Sequence, residues 1–428
     1  MTDLILSNAR LIDPETGLDA PGALLVRDGL IADVVQGATP PAPEGAKVVD
    51  CGGHPLAPGI VDMRVFVGEP GERHKESYRT AGEAAAAGGV TTIAVQPDTD
   101  PVIDEPAVLE FATRRAEKAS CVRVAPMAAL TRGLNGREMA EYGFLIDAGA
   151  LAFTDASRPI ADSTVFRNCL DYANSLDALV VHHPQDPAMT AEGCVTESLF
   201  ASKLGLPGAH AFAERIMLER DLALVEITGA RYHADMLTTR GAFEALARAK
   251  DKGLRVTAGV SHHHFALNEM DLEDYPTFFK LDPPLREEDD RAALEHAIAD
   301  GLIDVITSSH RPQDEESKRQ PFEVAAIGAV GLETVLSASL KLYHDGLMGL
   351  PDLFARLSLA PSRLLGLPSG RLAKGAPADL VLFDPDVPYV LDRFALKSKS
   401  KNTPFDRRRM TGRALKTWVG GTCVHGEA

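Results

Sequence analysis

The sequence predicts an α/β protein: a (β/α)8 barrel, or TIM barrel, with a small composite β-sandwich formed by both termini. Three observations predict it. Apolar strand patterns alternate with helices over roughly 300 central residues. Both ends of the chain are instead rich in short strands. Polar side chains gather where the central strands end, which is where barrel proteins place their chemistry. We therefore assign residues 1–54 and 372–428 to the sandwich and residues 55–371 to the barrel.

The terminal strands are short apolar runs separated by Asp, Gly and Pro turns. They cover residues 4–6, 23–26 and 30–35 at one end and residues 379–384 and 416–419 at the other. Because the two ends share this pattern and the middle does not, we expect them to build one sandwich together.

The central strands are apolar runs that finish at polar clusters. Predicted helices over residues 77–87 and 240–252 precede two of them. The strands with their clusters are 90–95; 179–181 with His182 and His183; 254–260 with His262, His263 and His264; and 303–306 with Ser308, Ser309 and His310. Consecutive strand residues point to opposite faces, so the three adjacent histidines are interpreted as structural rather than as a metal cluster.

Composition narrows the functional class. The 428 residues are 45% hydrophobic and 25% charged, as in ordinary globular proteins. A net charge of −17 argues against nucleic acid or an anionic membrane as the main partner. The five cysteines are scattered without CxxC spacing, which is typical of reduced thiols and predicts a cytoplasmic protein. Neither a signal peptide nor an apolar stretch long enough to span a bilayer is evident.

One central strand has the shape of a metal site but not its ligands. The apolar run from Pro58 reaches Asp62, and the next positions on the same face are Arg64 and Phe66. Two histidines there would clamp a divalent metal. An arginine has no lone pair to donate and a phenyl ring has none either. The strand fits a site that has lost its metal, or one that never had it.

Several segments together resemble the dihydroorotase branch of the amidohydrolase superfamily, in its type I or long form. The resemblance extends from Asp3 to about Gly426 and is carried by residues 58–62, 69–71, 87–92, 204–208, 283–286, 301–306 and 402–405. It implies a TIM barrel with a composite β-sandwich. In active members it also implies a zinc-bound hydroxide that attacks the amide carbon of dihydroorotate, while an aspartate at the eighth strand moves the proton.

The resemblance places the main functional positions of the family on residues that cannot serve them. The metal-binding histidine pair falls at Arg64 and Phe66, and a third metal histidine falls at Met236. The substrate-binding arginine falls at Gly68, and the catalytic aspartate falls at Ser309. Losses on separate strands are hard to reconcile with zinc-dependent hydrolysis.

Three further polar positions differ. The asparagines that face substrate in the family fall at Asp98 and Asp282, whose charges would repel an anionic substrate. The last histidine of the eighth-strand motif falls at Gln313. We therefore interpret the barrel mouth as a vestigial pocket with no catalytic residue.

Four family residues remain. Asp155 and His183 are the residual metal candidates, but a catalytic zinc usually has three protein ligands. His233 and His310 also remain. No metal or other cofactor is expected from this set.

Two interpretations of Arg64 stay open. It can act as a resident cation paired with Asp62, Asp98 or Asp155, with Phe66 filling the vacated metal cavity. It can instead anchor a new anion site.

Two hypotheses about function follow. In the first, the chain is a non-catalytic homologue; inactive long-form members serve as structural subunits for aspartate transcarbamoylase, so the catalytic subunit of that enzyme is the expected partner. The chain itself is expected to form a homodimer or a larger assembly. In the second, it is an active cyclic amidohydrolase, dependent on zinc, with a rearranged site built from Asp155, His183, His233 and His310.

Overall fold

The computed structural model describes residues 3–37 and 45–426. The strands in chain order are β1 Leu4–Asp13, β2 Leu18–Arg27, β3 Leu30–Gln36, β4 Lys47–Asp50, β5 Pro55–Pro58, β6 Ile60–Val65, β7 Val90–Val95, β8 Arg123–Pro126, β9 Leu179–His182, β10 Val195–Thr196, β11 Gly208–Ala209, β12 Arg231–Ala234, β13 Val256–Ser261, β14 Val305–Thr307, β15 Leu380–Val390, β16 Arg409–Val419 and β17 Thr422–His425.

The α-helices lie mainly between the central strands. They are α1 Tyr78–Ala87, α2 Pro106–Ala119, α3 Tyr142–Asp147, α4 Ser163–Ser175, α5 Pro187–Thr190, α6 Leu199–Leu204, α7 Phe212–Thr228, α8 Arg240–Asp251, α9 His262–Ala266, α10 Glu288–Ala299, α11 Glu315–Lys318, α12 Val335–His344, α13 Leu350–Phe354 and α14 Ala360–Leu364.

The barrel consists of two parallel sheets joined by single residue pairs. One sheet has the order β6-β7-β8 and the other β14-β13-β12-β9. Phe153 pairs in parallel with Ala128 on one side and Val180 on the other, so it supplies the missing fourth strand. Val65 pairs with His310 and closes the ring. The predicted barrel is confirmed.

Local sequence signals explain where the barrel helices begin. Ser77 caps α1: its hydroxyl accepts from the Thr80 amide, and the Thr80 hydroxyl accepts from the Ser77 amide. Such a reciprocal cap satisfies two amides that the first helical turn leaves unpaired. The alanines of α1 then bury a flat face against β7. The predicted helix over 77–87 therefore differs from α1 only at its cap.

Both termini contribute to one eight-stranded sheet with the order β17-β16-β15-β5-β1-β2-β3, in which β4 also pairs with β1. Its own core includes Leu6, Leu24, Leu380 and Trp418. The composite sandwich predicted from the two ends is confirmed. Strand β5 belongs to this sheet although it lies just past residue 54, and the exact division of the chain at residues 54 and 372 stays a prediction.

The sequence suggested that the three adjacent histidines continue a strand, but in the structure they do not. Strand β13 ends at Ser261, and His262, His263 and His264 form the first turn of α9. The Ser261 hydroxyl accepts from the His263 amide and so begins the helix. No helix among the described residues is long and apolar enough to cross a membrane.

Candidate functional site at the barrel mouth

The carboxyl ends of the barrel strands surround a cavity of only about 20 Å³. It is lined by Arg64, Phe66, Gln96, Ser157, His263, His264, Leu281, Asp282, Ser309, His310, Arg311, Ile327, Gly328 and Ala329. The structure thus brings five of the predicted pocket residues together: Arg64, Phe66, Asp282, Ser309 and His310. A space of this volume holds about one water molecule.

Arg64 lies in the cavity wall and is 5% exposed. Its Nη1 forms an ion pair with Asp235, and its Nη2 donates to the Ser157 hydroxyl at 2.7 Å. Burial lowers the pKa of Arg64 to about 10, while the nearby charge of Asp282 raises it. The guanidinium therefore stays protonated at neutral pH and supplies a fixed positive charge.

The partner of Arg64 differs from the three acids expected from the sequence. Asp62 accepts from the backbone amide of Arg64, at 3.1 Å, and does not pair with its guanidinium. The other two, Asp98 and Asp155, bind elsewhere. Asp235 is the acid that pairs with the Arg64 guanidinium. It lies directly after β12 and before Met236, and it is 3% exposed.

Phe66 is 4% exposed and forms the apolar side of the cavity. The Arg311 guanidinium lies 4.9 Å from the centre of its ring, a cation–π contact. Arg311 also donates to Asp98 at 2.8 Å. Burial opposes charge on Arg311, but Asp98 raises its pKa above the ordinary value. The charge of Asp98 is therefore compensated by Arg311, and this carboxylate is not a free acid facing the cavity.

Asp282 is the second acid that the sequence placed opposite an anionic substrate. Its Oδ2 lies 3.4 Å from His183 Nε2. Burial favours its neutral form, but His183 and then Arg64 lower the pKa of Asp282 below the usual value. The guanidinium of Arg311 therefore stands beside Asp98 and that of Arg64 acts on Asp282. Repulsion of an anionic substrate by the two acids stays a prediction.

Asp155 is buried and fully engaged. Its Oδ1 accepts from the Thr131 amide at 2.9 Å, and its Oδ2 accepts from the Thr131 hydroxyl. Burial raises the pKa of Asp155 to about 6, against the effect of these hydrogen bonds. The carboxylate anchors a neighbouring loop.

Asp62 performs a similar structural task at the end of β6. Its carboxylate accepts from the Ser308 amide at 3.2 Å and from the Arg64 amide. Burial raises the pKa of Asp62 to about 6, and the bonds to Ser308 lower it. The first and eighth strands are thereby joined.

Two positions at the mouth hold an unusual backbone. Met236 has φ +69° and Ser309 has φ +47°, both in the left-handed region that non-glycine residues rarely adopt. The resemblance placed a metal histidine at the first and the proton-moving aspartate at the second. The backbone is shaped as for a functional site, while the side chains are apolar or neutral.

The remaining histidines serve the scaffold. His233 bonds Thr257 at 2.9 Å, and its Nε2 is packed so closely on Gly259 that a Cβ there would lie 2.8 Å away. His310 is 1% exposed; its Nδ1 accepts from the Gly331 amide at 3.2 Å, and its Nε2 lies 3.4 Å from Glu76. Burial lowers the pKa of His233 to about 3, so this ring is neutral.

Gly68 has no room for the arginine that the resemblance leads one to expect there. A Cβ built there would lie 2.3 Å from the Glu72 carbonyl oxygen. Real Cβ atoms do not approach that closely, so any side chain at this position requires the loop to move. Gln313, another altered position, lies outside the cavity and donates to the Ile327 carbonyl at 2.7 Å.

Comparison with known proteins is consistent with this architecture. A family model described as "Dihydro-orotase-like" matches residues 53–242. A protein named dihydroorotase from Anaplasma phagocytophilum is 41% identical over 98% of this chain and 94% of its own length. The chain belongs to the dihydroorotase-like family. Another relative of that name, from Pelobacter propionicus, is 40% identical over 99% of both chains.

Solved structures share the fold. An L-hydantoinase from Arthrobacter aurescens superimposes with a TM-score of 0.90 at 25% identity, over 100% of this chain and 97% of that one. A D-hydantoinase gives a TM-score of 0.85 at 22% identity, over 99% and 95%. Both similarities span the barrel and the terminal sheet.

The family is one of metal-dependent amidohydrolases, typically zinc enzymes, and the residues at this mouth do not fit that metal. Within residues 3–37 and 45–426, no three His, Cys, Asp or Glu side chains are arranged to hold a metal ion. Of the residual candidates, Asp155 is hydrogen-bonded to Thr131. His183 lies 3.4 Å from Asp282, and its ring nitrogens have no hydrogen-bond partner among the described residues, so it is at most a single free ligand. A guanidinium paired with Asp235 replaces donors with lone pairs.

Sequence reasoning missed Asp235 and Arg311, the two partners that neutralise the mouth. Both lie next to residues that it did single out, Met236 and His310. A buried arginine at the end of one strand needs an acid within reach at the end of another strand, and that rule could have directed attention to Asp235 after β12.

Proposed function

We propose that this chain is a dihydroorotase-like protein of pyrimidine biosynthesis that is non-catalytic and serves as a structural subunit. The carrying observation is the Arg64–Asp235 ion pair in a cavity of about 20 Å³. Hydrolysis of a cyclic amide by this family's chemistry needs a metal ion that lowers the pKa of water and polarises the carbonyl. A protonated guanidinium does not bind water as a ligand. It therefore neither lowers the pKa of water nor polarises a carbonyl as a metal ion does.

The size of the cavity supports the same conclusion. Sites for small organic molecules generally enclose about 300–1,000 Å³. The barrel mouth is more than tenfold smaller, because Phe66 and Arg311 stack in it and Arg64 spans it. A substrate ring could enter only if buried, ion-paired side chains were displaced.

The expected partner is the catalytic subunit of aspartate transcarbamoylase, with this chain as a homodimer or larger unit. Support comes from the resemblance to inactive long-form members, which serve in that role. The framework around the altered site is also intact: capped helix α1, the closed barrel and the left-handed backbone at Met236 and Ser309 are all in place. A subunit that acts through its shape needs this framework and not the metal.

Size-exclusion chromatography of the purified chain with the transcarbamoylase of the same organism tests the proposal. We expect a joint peak larger than either component and no dihydroorotate hydrolysis by the chain alone. The control is the same run with a catalytically active dihydroorotase from another organism, which should elute separately. Failure of the two proteins to co-elute at any mixing ratio would contradict the assembly role.

A further inference from the structure

A second cavity, of about 240 Å³, lies between the loop after β14 and the segment that leads into β16. Three lysines and an arginine line it: Lys318, Lys399, Lys401 and Arg393. Phe278 and Phe394 supply aromatic walls. We define these six residues as the cationic cavity. It shares no lining residue with the cavity at the barrel mouth.

The three lysines of the cationic cavity donate only to backbone carbonyls. Lys318 is 3% exposed, and its Nζ bonds the carbonyls of Thr277 at 2.9 Å and Ala326 at 2.6 Å. Lys401 Nζ bonds two carbonyls at 2.6 Å, and Lys399 Nζ bonds one at 2.8 Å. Among the described residues, no carboxylate forms an ion pair with any of the three. Carbonyl dipoles satisfy the donors but leave the positive charges of Lys399 and Lys401 in place. Burial lowers the pKa of Lys318 to about 7, so this third lysine is only partly charged at neutral pH.

Two acidic side chains, Asp314 and Glu315, also line the cavity. The Asp314 carboxylate accepts from the Ser317 amide at 2.8 Å and caps α11. Glu315 pairs with Arg319 at 2.6 Å, on the exposed side of the same helix. Arg393 is paired with Asp406 at 3.7 Å, and Asp314 keeps its negative charge because only Ser317 bonds it. Three lysines that have no ion-pair partner among the described residues therefore face one unpaired carboxylate, in a chain whose net charge is −17. This local excess of positive charge favours an anion.

The aromatic walls add shape to the charge. The Arg393 guanidinium lies 5.2 Å from the Phe278 ring centre and 4.7 Å from that of Phe394. Phe394 is 71% exposed, a large apolar surface for solvent to cover. Gln313 also lines the cavity, and its Oε1 is buried without a hydrogen-bond partner among the described residues. Such an oxygen can accept from the hydroxyl of a singly protonated phosphate group.

We propose that the cationic cavity binds a small planar anion, namely an aromatic ring that carries a phosphate or carboxylate group. The acidic group contacts the ammonium groups of Lys399 and Lys401, and the ring lies on Phe394 beside the Arg393 guanidinium. Charge-assisted hydrogen bonds supply most of the affinity, and ring contact selects aromatic anions over simple ones.

Isothermal titration calorimetry of the full chain with phenyl phosphate, inorganic phosphate and benzyl alcohol tests the proposal. We expect phenyl phosphate to bind about tenfold more tightly than inorganic phosphate, and benzyl alcohol not to bind. The Lys399→Gln/Lys401→Gln variant should bind phenyl phosphate about tenfold more weakly or worse. Phe394→Ala should weaken the binding of phenyl phosphate but leave the binding of inorganic phosphate unchanged. Because Phe394 is 71% exposed, this variant should keep the melting temperature of the unchanged chain.

Lys118→Gln is the matched control, because Lys118 is an exposed lysine at the end of α2 outside the cavity. Its affinity for phenyl phosphate should equal that of the unchanged chain. The proposal is overturned if the double variant, with an unaltered melting temperature, binds phenyl phosphate as tightly as the control does. It is also overturned if the unchanged chain binds none at millimolar concentrations.

Discussion

The barrel mouth and the cationic cavity keep buried positive charge in opposite ways. At the mouth, Arg64 meets Asp235 and Arg311 meets Asp98, so each guanidinium has its own carboxylate. In the cationic cavity, Lys318 has only carbonyl partners. The first region is electrically closed and has almost no free volume, while the second has both free volume and unneutralised charge. The barrel mouth therefore offers a ligand neither space nor free charge, while the cationic cavity offers both.

The largest effect is expected from breaking the closed region. Arg64→Met leaves Asp235 buried without its counter-charge, and loss of one member of a buried pair costs about 3–5 kcal/mol. Urea unfolding should show this loss of stability. Arg248→Met is the control, because its ion pair with Glu219 is exposed and worth about 1 kcal/mol or less. Equal losses for the two variants would contradict the central place of Arg64.

Phe66→Ala should destabilise the chain by about 3 kcal/mol, since it removes a buried ring and leaves a cavity. The same unfolding experiment measures it. Phe111→Ala serves as the matched control because Phe111 is about half exposed on α2, and its loss should be much smaller. A small loss for Phe66→Ala would mean that the ring does not fill the mouth.

The open region should show itself in the pH dependence of stability. Burial lowers the pKa of Lys318 to about 7, with Lys280 adding to the effect. Between that value and the unfolded pKa, the unfolded chain binds more protons than the folded chain, so stability rises with pH. The contribution is about 2 kcal/mol between pH 7 and 9.

Lys318→Met should remove that rise, and denaturant unfolding at several pH values measures it. The matched control is Lys118→Met, which removes an exposed lysine at the end of α2 and should leave the slope unchanged. If the stability of Lys318→Met still rises as steeply as that of the unchanged chain, the slope has another source.

The smallest effect is expected at the rim of the mouth. Asp98→Asn weakens the ion pair with Arg311, whose side chain is 32% exposed. Solvent screening limits the loss to about 1 kcal/mol. Comparing this variant with Arg64→Met by unfolding therefore measures how the value of an ion pair falls from the centre of the mouth to its edge.

Much of the fold could be predicted because it depends on local pattern. The apolar run at residues 90–95 coincides with β7, and the capping serine before residue 78 predicts where α1 begins. The turn at His262 could not be predicted from strand periodicity, because it depends on a local cap in which the Ser261 hydroxyl accepts from the His263 amide.

The site was harder to predict for a physical reason. The sequence indicates which residues a strand end carries, so Arg64 and Phe66 were found. It does not indicate which acid on another strand comes within reach, so Asp235 was missed. The cationic cavity depends on loops that meet only in the folded chain, with Lys318 and Lys401 more than eighty residues apart, and no periodicity reports such a meeting.

The most direct test is the metal content of the purified chain, measured together with its hydrolysis of dihydroorotate. We predict zinc far below one ion per chain and no hydrolysis, whether or not zinc is added, because Arg64 and Phe66 lie where the family resemblance places metal ligands and neither side chain has a lone pair to donate. One zinc or more per chain, with hydrolysis that a chelator abolishes and zinc restores, would contradict this prediction.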